Sequence, residues 1–460
     1  MPSTNPYLNR LPVNHPSEFY GREQEVSWLL ERILHVQPQC CAITGLRRIG
    51  KSSLLNFLAH PEGARERYAP FFQSAGQRLL LVYADLSLLS PGAVDLADAA
   101  NDVAATMMLG HILRALDRET RGQLPAELWR QIKAIRASSD RSWHGNLEAL
   151  VDALEVLEDE DCRVVFLLDE LDVLETLPSR LAHALRALVM EHNIGYVTAS
   201  LHPLHELLLE GRTSPLYNLF STRSLALLER EEARALLVEP AHRVGVTWSG
   251  ELTEDLLDVA GGHPDLVKMA ASHLWDLLQE RGSKPPVEEI VEALRVDANG
   301  LFTSLWDHLT EKERWVVASL ASGRRGQVEP PATRRLHQRA LLIDTEGEPE
   351  LFSPLFGEWV RAQSDSPGQM DDLRLEGRWI VVDGDRRQLT PTEAKLADIL
   401  LKRRGQTVSR EELQQEIWDH VKPDSKALDT TVQRLRDKIE EDRANPRWLV
   451  TVRGEGYALK

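Results

Sequence analysis

Cysteine is scarce in this chain: three residues, Cys40, Cys41 and Cys162, in 460. That number is odd and too small to frame a disulfide-held fold, and each lies at a short apolar stretch where a small buried residue is the expected role. No apolar run approaches the roughly 20 residues of a membrane helix, the longest candidates being 79–83 and 164–168. The first residues lack the basic-then-apolar layout of a secretory signal, so a cytoplasmic chain with no membrane partner is expected. Glycine (27) and proline (24) are scattered, not clustered, which excludes collagen-like and low-complexity classes. No repeat of 20–50 residues is present. There is no Gly-x-Ser-x-Gly, and His202 and His205 lack the cysteine or acidic partners of a zinc site, so neither serine hydrolysis nor zinc chemistry is supported.

What is present is a globular composition, 42% apolar and 27% charged, over a length that suits about three domains. The net charge of −17 is divided unevenly: residues 371–460 hold 18 basic and 18 acidic side chains, so the first 370 residues carry the whole excess. A neutral tail on an acidic body points to a separate module with its own task.

Short apolar strands at 39–44, 79–89, 163–168 and 195–200 alternate with helical patterns at 93–117 and 179–192, which indicates a parallel sheet covered on both faces. After about residue 228 the strand signals fade into helices, interrupted by Gly261-Gly262 and reopened by Pro264. A smaller unit begins near 308 and closes with a strand pair and the helix PLFGEWVRAQ. The polar stretch SDSPGQMDD reads as a linker.

Gly45-x-x-x-x-Gly50-Lys51-Ser52 follows the first strand and opens a helix, the context that a phosphate-binding loop requires. Its backbone N–H groups would cradle phosphates, with Lys51 as a point charge on the β/γ-phosphates and the Ser52 hydroxyl on Mg²⁺. The strand at 164–168 delivers Asp169 and Glu170 at its carboxyl end, where ligands sit in such sheets. Asp169 is expected to hold the metal through water and Glu170 to polarise the attacking water. Asp172 is open between a site role and a helix cap.

With Phe19-Tyr20-Gly21-Arg22-Glu23, Gly45-Leu-Arg-Arg-x-Gly-Lys-Ser-Ser53 and Asp169-Glu170-Leu-Asp172, residues 17–365 resemble the AAA+-related STAND group of signal-transduction ATPases. The resemblance implies ATP with Mg²⁺ as ligands. It places Tyr20, Gly21 and Arg22 on the adenine side, and Arg48 and Ser53 in the loop. Thr198 or Ser200 would be the polar reporter of a sensor strand, and Gly262-His263-Pro264 a lid motif touching the nucleotide. Arg48 is open between phosphate, a neighbouring subunit and solvent, and His263 between nucleotide contact and helix start. For an arginine finger, Arg212 and Arg223 stand at suitable distances in the chain, but ordinary surface pairing is the favoured reading. Hydrolysis would then be slow.

Residues 373–460 present Leu389-Thr-Pro-Thr-Glu-Ala394, Val408-Ser-Arg-Glu-Glu-Leu413, Thr431-Val-Gln-Arg-Leu-Arg-Asp-Lys438 and Thr451-Val-Arg-Gly-Glu-Gly-Tyr457. This order resembles the OmpR/PhoB-type winged helix of response regulators. It implies that Thr430, Thr431, Gln433, Arg434 and Arg436 face DNA from the third helix, and Arg453 from the wing. Asp437, Glu440, Glu441 and Asp442 would repel phosphate unless they face away.

The expected fold class is therefore α/β: a P-loop NTPase with parallel sheet, helical lid and winged helix, followed by an α+β winged helix-turn-helix domain. The expected limits are an N-terminal segment 1–18, NTPase core 19–228, lid 229–299, winged helix 300–365, linker 366–372 and DNA-binding domain 373–460. The expected function is an ATP-dependent switch binding DNA, as a transcriptional regulator or bacterial defence sensor. An initiator- or transposition-type DNA-handling ATPase, with self-association through its core, and a scaffold whose winged helices bind a protein partner are the alternatives.

Overall fold

The computed structural model describes residues 4–74, 78–89, 99–174, 179–207, 216–323, 330–345, 347–363, 373–376, 378–382, 385–418, 427–440, 446, 448–452 and 455–459. Arg212, Arg453, Glu441, Asp442 and the linker 366–372 lie outside them. Contacts divide the chain into two units, one of residues 1–305 with 334–359, the other of 306–333 with 360–460.

In the first unit, helix α1 (Glu23–Ile33) precedes strand β1 (Cys40–Thr44), which leads through the glycine loop into α2 (Lys51–Ala59). β2 (Arg78–Asp85) ends sooner than the apolar pattern does, because Leu86–Leu89 turn into a short 3-10 helix. Three helices follow: α3 (Ala99–Gln123), α4 (Ala126–Ser138) and α5 (Trp143–Asp159). Then come β3 (Cys162–Asp169), α6 (Ser179–Glu191), β4 (Ile194–Ser200) and β5 (Phe220–Ser224). The strands pair in parallel in the order β2-β3-β4-β1-β5. β1, β3 and β4 are buried along their whole length, as strands covered on both faces must be. Because β4 lies between β1 and β3, the loop after β1 and the acids after β3 open at one carboxyl edge, the usual place for a ligand. β5 has no counterpart in the apolar pattern: FSTRS is a polar strand that, among the described residues, pairs with β1 alone.

The lid helices are α7 (Arg230–Arg243), α8 (Gly250–Ala260), α9 (Pro264–Arg281) and α10 (Val287–Asp297). A reciprocal capping box between Glu229 and Glu232 starts α7, and the Ser249 side chain caps α8. Gly261 ends α8 at φ 62°, and a Cβ there would stand 1.6 Å from the Phe352 carbonyl oxygen, so only glycine fits. Helices α11 (Asn299–Asp307), α12 (Glu311–Ala321) and α13 (Pro330–Gln338), the hairpin β6 (Leu342–Thr345) and β7 (Glu348–Leu351), and α14 (Pro354–Gln363) follow in the chain, with α12 in the second unit.

The C-terminal domain begins with an antiparallel sheet of β8 (Leu373–Glu376), β9 (Trp379–Val382) and β10 (Asp385–Gln388). Helix α15 (Pro391–Lys402) starts with a Thr390–Glu393 capping box and Pro391 in its first turn. Then come β11 (Thr407–Ser409), α16 (Arg410–Trp418), α17 (Ala427–Ile439), β12 (Leu449–Val452) and β13 (Gly456–Leu459), with β13 central in the second sheet. Leu396, Leu400, Leu413, Leu428, Leu435 and Leu449 form the middle of its own core.

Candidate nucleotide site and nucleic-acid interface

Gly50, at φ 105°, lets the loop turn into α2, and Lys51 is the first residue of that helix. The buried Lys51 Nζ donates to the carbonyl oxygens of Gly45 and Leu46, both at 2.9 Å. Burial lowers its ammonium from the ordinary range, opposed by the charges of Glu170, Asp172 and Asp169. An anion seated on the loop would shift that balance toward the charged lysine.

Beneath the loop, the buried Arg22 guanidinium donates to Ile49 O at 3.0 Å, while its backbone N–H donates to Glu232 Oε1 at 2.7 Å. Gly21 backs onto the same Glu232 side chain. The Tyr20 hydroxyl is buried without a partner among the described residues, and Arg243 lies 5.5 Å from its ring centre.

Asp169 ends β3 at 2% exposure. Its Oδ2 accepts from the Tyr83 hydroxyl at 2.9 Å and its Oδ1 from the Glu170 N–H at 3.0 Å. Ser52 lies close enough to the same carboxylate to lower it, so the two residues expected at a metal are neighbours. Burial pushes the Asp169 carboxyl above its usual range, opposed by those hydrogen bonds. Glu170 adopts φ 53° and turns toward solvent, its carboxyl raised by partial burial and then by the Asp169 charge. A serine hydroxyl beside a carboxylate offers hard oxygen donors, so this donor set fits Mg²⁺.

Asp172 braces the exit of β4. Its carboxylate accepts the Leu201 and His202 N–H groups and lies 2.9 Å from His202 Nδ1. Burial alone would raise it, but these bonds together hold it below the carboxylate range. Ser200, paired with Thr44 at the carboxyl edge, donates to His202 O at 2.7 Å. Thr198 sits two residues deeper, between Ala42 and Leu168, its buried Oγ1 without a partner among the described residues. The Ser53 Oγ accepts the Val13 N–H at 3.0 Å. Arg223 lies 5.7 Å from the Trp28 ring centre and near Gln24 O.

The lid reaches the loop at two points. His263 is fully buried beside the Arg47 backbone, next to Pro264 at the first position of α9, and burial lowers its imidazole to about 3. One residue beyond Pro264, the Asp265 carboxylate lies 3.0 Å from the guanidinium of Arg48. Sequence reasoning missed Tyr83 and Asp265, and it also missed the N-terminal strap. Asn5 Nδ2 donates to Ser272 and Asp276, and Tyr7 OH to Leu237 O. Lys268 Nζ donates to Asn9 O, and Asn56 Nδ2 to Val13 O at 3.2 Å. Residues 5–14 thereby join the lid to α2. No local pattern marks any of these, since each partner lies 40 residues or more away.

In the C-terminal domain, Thr430, Gln433, Arg434 and Asp437 share the exposed face of α17. Thr431 does not: it is 8% exposed and its hydroxyl donates to Ala427 O at 2.9 Å, so the expectation that it faces outward is corrected. The Leu428, Thr431, Val432, Leu435, Ile439 spacing was the signal that places it in the core. Arg436 bends back, donating to Leu449 O at 2.9 and 2.7 Å and to Thr451 Oγ1 at 2.8 Å. Glu440 is buried and accepts the N–H groups of Trp448 and Leu449, which removes it from any phosphate.

Residues 6–358 match the family described as Novel STAND NTPase 1, and residues 384–459 match the family described as Transcriptional regulatory protein, C terminal. The transcriptional regulatory protein AfsQ1 of Streptomyces coelicolor is 29% identical over 244 residues, 51% of this chain and 97% of that protein. The sensory transduction protein RegX3 of Mycolicibacterium smegmatis is 43% identical over 96 residues, 20% of this chain and 40% of that protein. Among solved structures, a Walker-type ATPase of Pyrococcus abyssi is similar at a TM-score of 0.51 and 15% identity, covering 77% of this chain and 99% of that one. This last likeness shows the fold alone.

Proposed function

Since the chain belongs to the Novel STAND NTPase 1 family and carries a transcriptional-regulator-like DNA-binding domain, we propose that it is an ATP-controlled switch whose C-terminal winged helix binds DNA. We take the domain limits as those expected from sequence, and the cytoplasm as its compartment. Among the described residues no helix is long and apolar enough to cross a membrane. The observation that carries the reading is that Lys51 and Ser52 of the loop lie near Asp169 at one sheet edge, while the lid is joined to the loop through the Arg48–Asp265 ion pair.

Lys51 would exchange its loop carbonyls for phosphate oxygens, a stronger, charge-assisted contact. Ser52 and Asp169 would hold Mg²⁺, which neutralises phosphate charge when bound. Glu170 would orient a water and take its proton, its raised carboxyl making it a better base than an unperturbed glutamate. Arg48 is the residue through which the lid can learn what the loop holds. A phosphate reaching it competes with Asp265 and loosens the lid, whereas a nucleotide too short to reach leaves the pair closed. That difference in affinity between two arrangements is what a ligand needs to move an equilibrium. On DNA, the exposed face carrying Thr430, Gln433 and Arg434 is the reader, with Arg453 of the wing as a second contact. Promoter-length DNA binding with ATP, with ADP and for Lys51→Ala tests the switch. ATP should change the affinity at least fivefold relative to ADP and to Lys51→Ala; equal affinity in all three removes the proposal.

A further inference from the structure

Tyr83 lies on β2, two residues before Asp85, the register partner of Asp169. Its ring is half-buried, and its hydroxyl donates across to Asp169 Oδ2 at 2.9 Å. Its backbone is fastened too: Arg118 of α3 donates to Tyr83 O at 2.7 Å. The other carboxylate oxygen accepts the Glu170 N–H. Donors on both oxygens leave Asp169 one orientation, because a turn about its last torsion would break both bonds at once. In that orientation the carboxylate lies in the neighbourhood of Ser52. No motif includes Tyr83. It stands where a strand residue of any apolar type would satisfy the sheet, and its polar end is used on Asp169.

We propose that Tyr83 is a positioning residue for Asp169, setting how tightly the Ser52–Asp169 pair holds magnesium. The role rests on the nucleotide reading above. Tyr83 touches no phosphate and does no chemistry; it orients the group that does, as outer-shell partners do at metal sites.

The test is Tyr83→Phe in the full chain, which keeps the ring and removes only the hydroxyl. Binding of a non-hydrolysable ATP analogue is measured by calorimetry from micromolar to millimolar Mg²⁺ and again in EDTA. The magnesium midpoint should rise about tenfold, with the affinity in EDTA unchanged within twofold. In an Asp169→Asn background the same change should shift nothing, since the group being oriented is gone. A shift that persists in that background, or a Tyr83→Phe midpoint equal to the parent's, overturns the role while leaving the nucleotide reading intact. A parent chain that binds no analogue at any magnesium concentration overturns both.

Discussion

His263 is a neutral imidazole held among cations, with Arg22, Arg48 and Lys51 all near it and the Phe352 ring centre 5.8 Å away. In the folded chain it stays unprotonated down to about pH 3, while in the unfolded chain it takes up a proton below about pH 6.5. The unfolded state therefore binds more protons in that window. The contribution of this residue to stability is complete above pH 6.5 and is lost as the pH falls toward 3. Between pH 7.5 and 5.5 the loss is on the order of 1 kcal/mol. Urea unfolding of the NTPase unit should show that loss in the parent and not in His263→Leu. An equal pH dependence of both would mean that His263 is not kept neutral by the fold.

At the scale of one element, α17 shows how a helix divides its residues between holding and reading. Arg436 anchors it to β12 and Lys438 to the first turn of α15 through Glu393, at 2.6 Å. Thr431 faces inward. Arg436→Ala removes three hydrogen bonds at a half-exposed site, a cost of about 1 kcal/mol. It should lower the melting midpoint of the C-terminal domain by about 4–8 °C. Thr431→Val should leave DNA affinity within twofold of the parent. A DNA defect in Thr431→Val with an unchanged melting midpoint would place that residue back on the reading face. The helix itself was legible in the sequence because apolar residues recur at three and four positions along it. What each polar residue does was not, since counting along a motif does not say which side faces the sheet. β5 escaped for a related reason: paired on one side only among the described residues, it can be polar, and it carries no apolar signature.

For the whole molecule, the acidic body and neutral tail mean that DNA attraction must come from few, well-placed cations. The net charge of the chain works against any general attraction to phosphate. The log of DNA affinity should fall with log salt at a slope of only a few units, and Arg434→Ala should reduce that slope by about 1. An unchanged slope would remove Arg434 from the phosphate contacts. The sequence by itself determined the phosphate loop, the acid pair after β3, the lid's Gly-His-Pro and the plan of the C-terminal domain. In each of these the chemistry lies in consecutive residues, and a short run of chain suffices to specify it. Only the tertiary structure decided that Tyr83 orients Asp169, that Asp265 pairs with Arg48, that Ser53 holds the N-terminal strap and that Arg436 is a brace. The physical reason is the same in every case. These partners are remote in the chain and meet only after the sheet has ordered its strands and the lid has packed, and a hydrogen bond or ion pair exists only where both ends arrive.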